Sequence, residues 1–531
     1  MGSGREDKEQ GAGTFRNSRA STEGLESSGM AHRVINGIAW QGTGLAVTTI
    51  LSILSMMVLA RLIAPREFGL MAIVGIFMGF PRIFTEGAVG QYIVQRDKLE
   101  GLQINSAFFV VCLFNAVFAV FIFWSAPFIS SFFGQRELIS LIEVVAPVFL
   151  LNTMALVPSA LFQRELNFRA IAMIDLTSFF IGTCLVAIIL AWQGFGVWAL
   201  VMGMLCREIS RTILFISAGR YKLGISTRIR EIKSVMRFAG GVLLGQAANY
   251  LALQGDYFVS GKILGTAQLG YYGKAYKLMS YPANLFGRIV AKVLLPGIAR
   301  LQGDRERTAA AFMKSLALTA LLTMPPCALI IVLAPEIVDV LLGPQWHPVI
   351  APLQILAIGS FFRVAYKVSG TLLLAMGAVY KIAVVQWLYA GLVIGGSILG
   401  ANYGISGIAV AVVIAVAIQF ILLSLMAITH LKIKTLDFIR AHVRPFIISV
   451  GILALGFATA ELSRHLQFGV IVTLVSTVAA VFILGVLVLR TARQTLLGRH
   501  GQWLLITLID KLPGHLRHQL TNLLLPGLSN D

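Results

Sequence analysis

Apolar runs of about twenty residues recur about fourteen times along the chain, separated by short polar connections. A run of that length crosses a bilayer core when helical, because every backbone N–H and C=O is then satisfied within the segment. The centres fall near Thr49, Gly79, Val117, Leu151, Gly182, Gly203, Asn249, Asn284, Leu322, Phe362, Gly391, Val413, Leu453 and Thr477. The stretches Phe80–Gly90 and Tyr271–Gly297 carry polar side chains and count as spans through their place in the alternation. The pattern predicts an all-α polytopic membrane protein. Composition agrees, since 57% of the 531 residues are hydrophobic and only 13% are charged, which sets aside a soluble multidomain chain.

The formal net charge is +19, yet no RNP, zinc-finger or basic helix-turn-helix pattern accompanies it, so nucleic acid is not an expected partner. Its distribution is that of membrane orientation. The N-terminal tail, "QRDKLEG", "QRELNFR", "GRYKLGISTRIREIKSVMR", "RLQGDRER", "YK", "HLKIKTLDFIRAHVR" and the C-terminal tail fall on one side. The stretches "RLIAPREF", "GQRE", "WQGFG", "GKILGTAQ", "APEIVDVLLGPQWHP", "GANYG" and "ELSRH", poor in Lys and Arg, fall on the other. The positive-inside rule then predicts an even number of spans with both termini cytoplasmic.

Residues 1–35 are polar and rich in Gly and Ser, reading as a disordered cytoplasmic tail rather than a signal peptide. Glu6 stands where a myristoylation motif wants Ser or Thr, so no lipid anchor is expected. Cys112, Cys184, Cys206 and Cys327 lie in four separate apolar segments and read as packing residues, without disulfide or metal spacing.

The chain repeats itself. "LARLIAPREFGL" lies over "SGKILGTAQLGY", pairing Arg61 with Lys262 and Gly69 with Gly270, and "GFGVWALV" lies over "GISGIAVA". Both matches have an offset of about 200 residues, six spans, so the halves are parallel repeats. The expected organisation is an N-lobe at 36–218 with spans 1–6, a cytoplasmic linker at 219–235 and a C-lobe at 236–431 with spans 7–12. Two further spans occupy 432–490, and an amphipathic cytoplasmic tail fills 491–531.

Ionisable residues inside spans are expensive and point to a pathway or a site. In "YYGKAYKLMSYPANLFGRIVAKVLLPG", Lys274, Lys277, Arg288 and Lys292 fall on one helical face, with no acid at i±3 or i±4 to pair them; snorkelling to a membrane interface is the alternative for Lys292, Arg288 and Lys274. Arg82 and Glu86 stand four apart in the second span, as do Arg363 and Lys367 in the tenth; Gln246, Asn249 and Asp256 stripe the seventh. The sum is a polar cavity with cationic excess. Lys277, Arg288, Arg363 and Lys367 are the leading candidates to hold an anion, with Arg82 and Lys274 beside them; an intrahelical pair with Glu86 is the equal alternative for Arg82. Arg grips phosphate bidentately and Lys acts as a mobile point charge, which suits a pyrophosphate that binds and then leaves. No P-loop, His-Glu-x-x-His or Gly-x-Ser-x-Gly motif is present, and His347 reads as a loop residue, so no catalysis, cofactor or metal is expected.

"VLARLIAPREFGLMAIVGIF", "FTEGAVGQYIVQRDKL", "VPSALFQRELNFRA", "GFGVWALV" and the long block from "LQGDYFVSGKILG" to "ARLQGDRER" together resemble the polysaccharide transporter, or Wzx-type, branch of the MOP flippase superfamily. Arg61, Gly69, Gln95, Arg96, Asp256, Gly270 and Arg288 stand where that pattern has them. The resemblance runs from Val34 to Leu431 and implies a bacterial inner-membrane protein. Its cargo would be undecaprenyl-pyrophosphate-linked oligosaccharide, flipped from the cytoplasmic to the periplasmic leaflet beside polysaccharide polymerase and export machinery. It also implies ion coupling, for which Glu86, Asp175 and Asp256 are candidates, structural pairing being the alternative for each. The two extra spans are similar to those of fourteen-span lipid II flippases. An ion-coupled small-molecule exporter of the MATE type is the second reading, and a membrane glycan polymerase or ligase, which would want a large periplasmic loop, the third.

Overall fold

The computed structural model describes residues 40, 42–96, 99–219, 224–300 and 304–491, with the side chains of 244, 285–300 and 487–491 outside that description. The helices are α1 (Gly42–Leu62), α2 (Pro65–Gln95), α3 (Gly101–Phe133), α4 (Leu138–Arg164) and α5 (Phe168–Trp192). They continue as α6 (Val197–Ala218), α7 (Ile229–Val259), α8 (Thr266–Arg300), α9 (Arg305–Leu341) and α10 (Ile350–Ala375). α11 (Val379–Gly400), α12 (Gly404–Leu431), α13 (Thr435–His465) and α14 (Val470–Thr491) complete the described chain. Each centre expected from the apolar pattern falls inside one of these helices.

Length and apolarity together mark nine spans among the described residues, with α11 and α12 merged as Val379–Leu431. That differs from the expected fourteen for a physical reason. Helices α6, α7 and α8 are long enough to cross but carry polar and charged residues in their sequences, which lowers their mean hydropathy. The apolar part of α14 described here, Val470–Val486, is short. The tail at 1–35, all but the first residue of the tail at 491–531, and residues 220–223 of the linker lie outside the described residues, while the linker's last seven residues, 229–235, form the start of α7.

Helices before residue 219 pack chiefly among themselves, α6 against α4 and α5, and those after it likewise, α10 against α9 and α12. α8 packs along α2, and α7 crosses α2 and α3, joining the halves. α13 docks on α9 and α14 on α13, outside both halves. Phe121, Trp124 and Phe128 of α3 remain exposed, an outer surface that suits lipid rather than water.

Local sequence sets the helix ends. Pro65 opens α2, where a missing N–H is harmless, and the Glu67 carboxylate accepts from the Ala64 N–H at 3.2 Å. Gly196 starts α6 at φ 55°, where a β-carbon would collide with that same carboxylate. Beyond Pro81, α2 widens into a π-helical turn at Thr85–Gly90 that contains Glu86.

Candidate functional site

The two halves meet at the end of the bundle that carries the connections poor in Lys and Arg. Gly69 of α2 and Gly270 of α8 let the helices touch backbone to backbone, Gly69 against the Thr266 carbonyl and Gly270 against that of Pro65. Arg61, at the end of α1, donates to the Val340 carbonyl in the last turn of α9 at 2.8 Å. Its repeat counterpart Lys262, just past α7, donates to the Phe132 carbonyl in the last turn of α3 at 2.5 Å. Carbonyls there lack intrahelical partners, so cations capping them are stabilising.

From the connection between α9 and α10, Trp346 inserts fully buried and donates its indole N–H to the Ala60 carbonyl of α1 at 2.8 Å. Its ring meets Phe68 of α2 edge-on at 5.4 Å and Tyr271 of α8 at 5.7 Å. These contacts close that end.

Beneath the closure lies a cavity of about 520 Å³, walled by α1, α2, α5 and α6 from the first half and by α7 and α8 from the second. Its lining includes Ser52, Ser55, Thr183 and Ser280, three cations (Arg207, Lys274 and Lys277), and neither Asp nor Glu. Lys277 is exposed toward the cavity, one turn along α8 from Lys274. Lys274 is only 7% exposed, its ammonium 3.4 Å from the Phe68 ring centre and 5.5 Å from that of Trp346. Among the described residues no partner satisfies the buried Nε of Arg207, whose guanidinium sits 5.4 Å from the Phe179 ring.

The structure brings Lys274 and Lys277 into this cavity and places Arg363, Lys367, Arg82, Asp256, Glu86 and Asp175 elsewhere. Arg363 stands behind its wall, donating to the Tyr276 hydroxyl and stacking 4.7 Å from that ring. Asp256 belongs to the same buried cluster, its carboxylate accepting from Tyr272 at 2.6 Å; Tyr257 and Tyr276 separate the cluster from the cavity. Lys367, one turn beyond Arg363, is exposed and does not line the cavity.

Arg82 pairs with Glu86 at 3.4 Å, also outside the lining. Arg211 then bridges Glu86 at 3.9 Å and Asp175 at 3.0 Å, so the two first-half acids share one network. The helix holding Arg288 is described, but its side chain is not. His347 pairs with Asp339 at 2.7 Å in its connection.

Sequence reasoning missed Arg207, Glu208 and Arg211. "CREISR" places the two arginines four apart on α6, the same spacing that drew notice to Arg82 with Glu86 and to Arg363 with Lys367. Trp346 also went unnoticed, since a tryptophan in a connection has no helical pattern to mark it.

The chain is similar to the lipopolysaccharide biosynthesis protein WzxC of Escherichia coli K12, 26% identical over 380 residues, 70% of this chain and 77% of the relative. It is also similar to the teichuronic acid biosynthesis protein TuaB of Bacillus subtilis 168, 23% identical over 456 residues, 84% of this chain and 93% of the relative. Among solved structures, lipid II flippase MurJ in an inward closed conformation matches with a TM-score of 0.69 at 15% identity, over 85% of this chain and 98% of that one. An inward-facing MATE-family multidrug transporter of the MOP superfamily matches with 0.58 at 15% identity, over 72% and 94%. These last two likenesses carry the fold alone. The sequence profile described as "Polysaccharide biosynthesis protein" matches residues 58–351, more than half of the chain, and this protein belongs to that family.

Proposed function

We propose that this protein is an alternating-access flippase that moves undecaprenyl-pyrophosphate-linked oligosaccharide repeat units between the leaflets of a bacterial inner membrane, for exopolysaccharide, capsule or O-antigen assembly. The observation that carries the reading is the cavity between the halves, with Arg207, Lys274 and Lys277 and no carboxylate in its lining. Cations without counter-ions in a membrane interior are costly unless an anion or water meets them. Arg207 offers a fork that grips phosphate oxygens, and Lys277 a charge that lets go.

At about 520 Å³ the cavity has the size of a small-ligand site, so it takes the pyrophosphate and its nearest sugar. In this reading the halves move as the lobes 36–218 and 236–431, both termini are cytoplasmic, and the closed end faces the periplasm. Arg363 and Asp256 stiffen the wall through Tyr276 and Tyr272. Asp256 is also the first candidate for the coupling ion, with Glu86 and Asp175 behind it, held by Arg82 and Arg211. Polymerase and export machinery would receive the flipped unit.

The MATE-type fold likeness favours a second reading, an exporter of small molecules; a cavity of net positive charge disfavours cationic drugs as its cargo. The test is leaflet-to-leaflet movement of an undecaprenyl-pyrophosphate oligosaccharide in proteoliposomes. Wild-type movement that falls in folded Arg207→Gln and Lys277→Gln variants supports the flippase. A wild type that moves no such lipid under an imposed ion gradient overturns it.

A further inference from the structure

Lys274 differs from the other two cavity cations in what it touches. Its ammonium rests on Phe68 of the first half and near Trp346, the two rings whose edge-on contact helps close the end poor in Lys and Arg. Its ammonium meets aromatic faces, those of Phe68 and Trp346. The contact crosses between halves: Lys274 belongs to α8, Phe68 to α2, and Trp346 reaches back to the Ala60 carbonyl of α1. Lys274 is thus part of the cavity lining and part of the closure at once.

We propose that Lys274 couples occupancy of the cavity to opening of that end. This rests on the reading of the cavity as a pyrophosphate site. A cation on a ring face is held by the ring quadrupole, whereas an ionised phosphate oxygen offers full charge and a hydrogen bond. An anion seated between Arg207 and Lys277 lies within reach of Lys274, one turn from Lys277. It draws the ammonium off Phe68, and the ring loses a contact that holds it to the second half. Empty, the cavity leaves Lys274 on the ring and the end closed. The anion therefore acts by preferring one of two states, as any ligand that shifts a conformational equilibrium must.

The test measures the distance between spin labels at Arg136→Cys and Pro348→Cys, exposed positions on connections of opposite halves at the closed end. The four native cysteines are replaced by alanine, and the full chain is held in nanodiscs. The probes are undecaprenyl pyrophosphate and inorganic pyrophosphate, each at a concentration that saturates the variant by equilibrium binding. Wild type is expected to shift to longer distances with probe, and Lys274→Arg to follow it. Lys274→Met, which keeps the packing and removes the charge, is expected to stay closed while still binding. A shift with inorganic pyrophosphate supports charge alone as the trigger; a shift only with the prenyl form supports the same coupling with the lipid tail required. The proposal is overturned by a Lys274→Met protein that opens with probe like wild type, by one that stands open without probe, or by a wild type that binds and does not move. A wild type that binds neither probe overturns the pyrophosphate reading itself.

Discussion

Gly69 and Gly270 occupy matching places in the two repeats, and each presses on the backbone of the other half. A β-carbon on Gly69 would overlap the Thr266 carbonyl, and one on Gly270 would overlap that of Pro65. Pro65 and Thr266 stand equally far before the two glycines and are themselves repeat counterparts. Residue i meets j′ while i′ meets j, the reciprocity of a two-fold interface, here built within one chain. Arg61 and Lys262 repeat the relation in hydrogen bonds, each reaching the end of a helix in the opposite half.

Gly69→Ala and Gly270→Ala are each expected to wedge α2 from α8 and weaken the closed state by about 1–3 kcal/mol, the usual effect of overpacking. Label distances across that end should lengthen without ligand, and the double variant should add little, since either side chain already separates the helices. Unchanged distances in both single variants would contradict the close approach.

Arg207→Gln and Lys277→Gln each remove a charged hydrogen-bond donor from the cavity. On the proposed function, a loss of about 1.5–3 kcal/mol per donor corresponds to roughly 10–100-fold weaker binding of undecaprenyl pyrophosphate. Arg207→Lys should fall between wild type and Gln, keeping charge but losing the fork. Equilibrium binding in nanodiscs checks all three.

Trp346→Phe keeps a ring against Phe68 and gives up the bond to the Ala60 carbonyl, a change of about 1 kcal/mol. Trp346→Ala also empties a fully buried site and should cost about 3–5 kcal/mol. The closed-state population, read from the same label pair, should therefore fall slightly in the first and largely in the second. Equal effects would show that the hydrogen bond, not the ring, holds the closure.

Arg464 of α13 forks onto the buried Glu336 of α9, Nε to Oε1 at 2.8 Å and Nη2 to Oε2 at 3.0 Å. Arg464→Leu leaves that carboxylate buried without its partner and is expected to destabilise docking of α13 by about 3–5 kcal/mol. Adding Glu336→Leu should recover most of the loss, because two apolar side chains can replace a buried pair. Thermal unfolding in detergent measures both.

The existence, order and approximate centres of the helices were legible in the chain, because a backbone inside a bilayer must satisfy its hydrogen bonds locally and a run of apolar residues announces that alone. The repeat was legible for a similar reason: Gly69 and Gly270 are forced by a close approach that no larger residue permits. Lys274 and Lys277 stood out as unpaired charges on one face of α8. What side chains do between helices was decided only by the tertiary structure. The spacing of Arg363 suits a cavity residue, but Tyr276 stands between it and the cavity, and Glu86 and Asp175 form one network only through Arg211 on another helix. Spacing along a helix reveals which residues share a face, but whether that face meets a ring, a carboxylate or an open cavity depends on the helix packed opposite, and for Lys274 that neighbour is α2, some two hundred residues away in sequence.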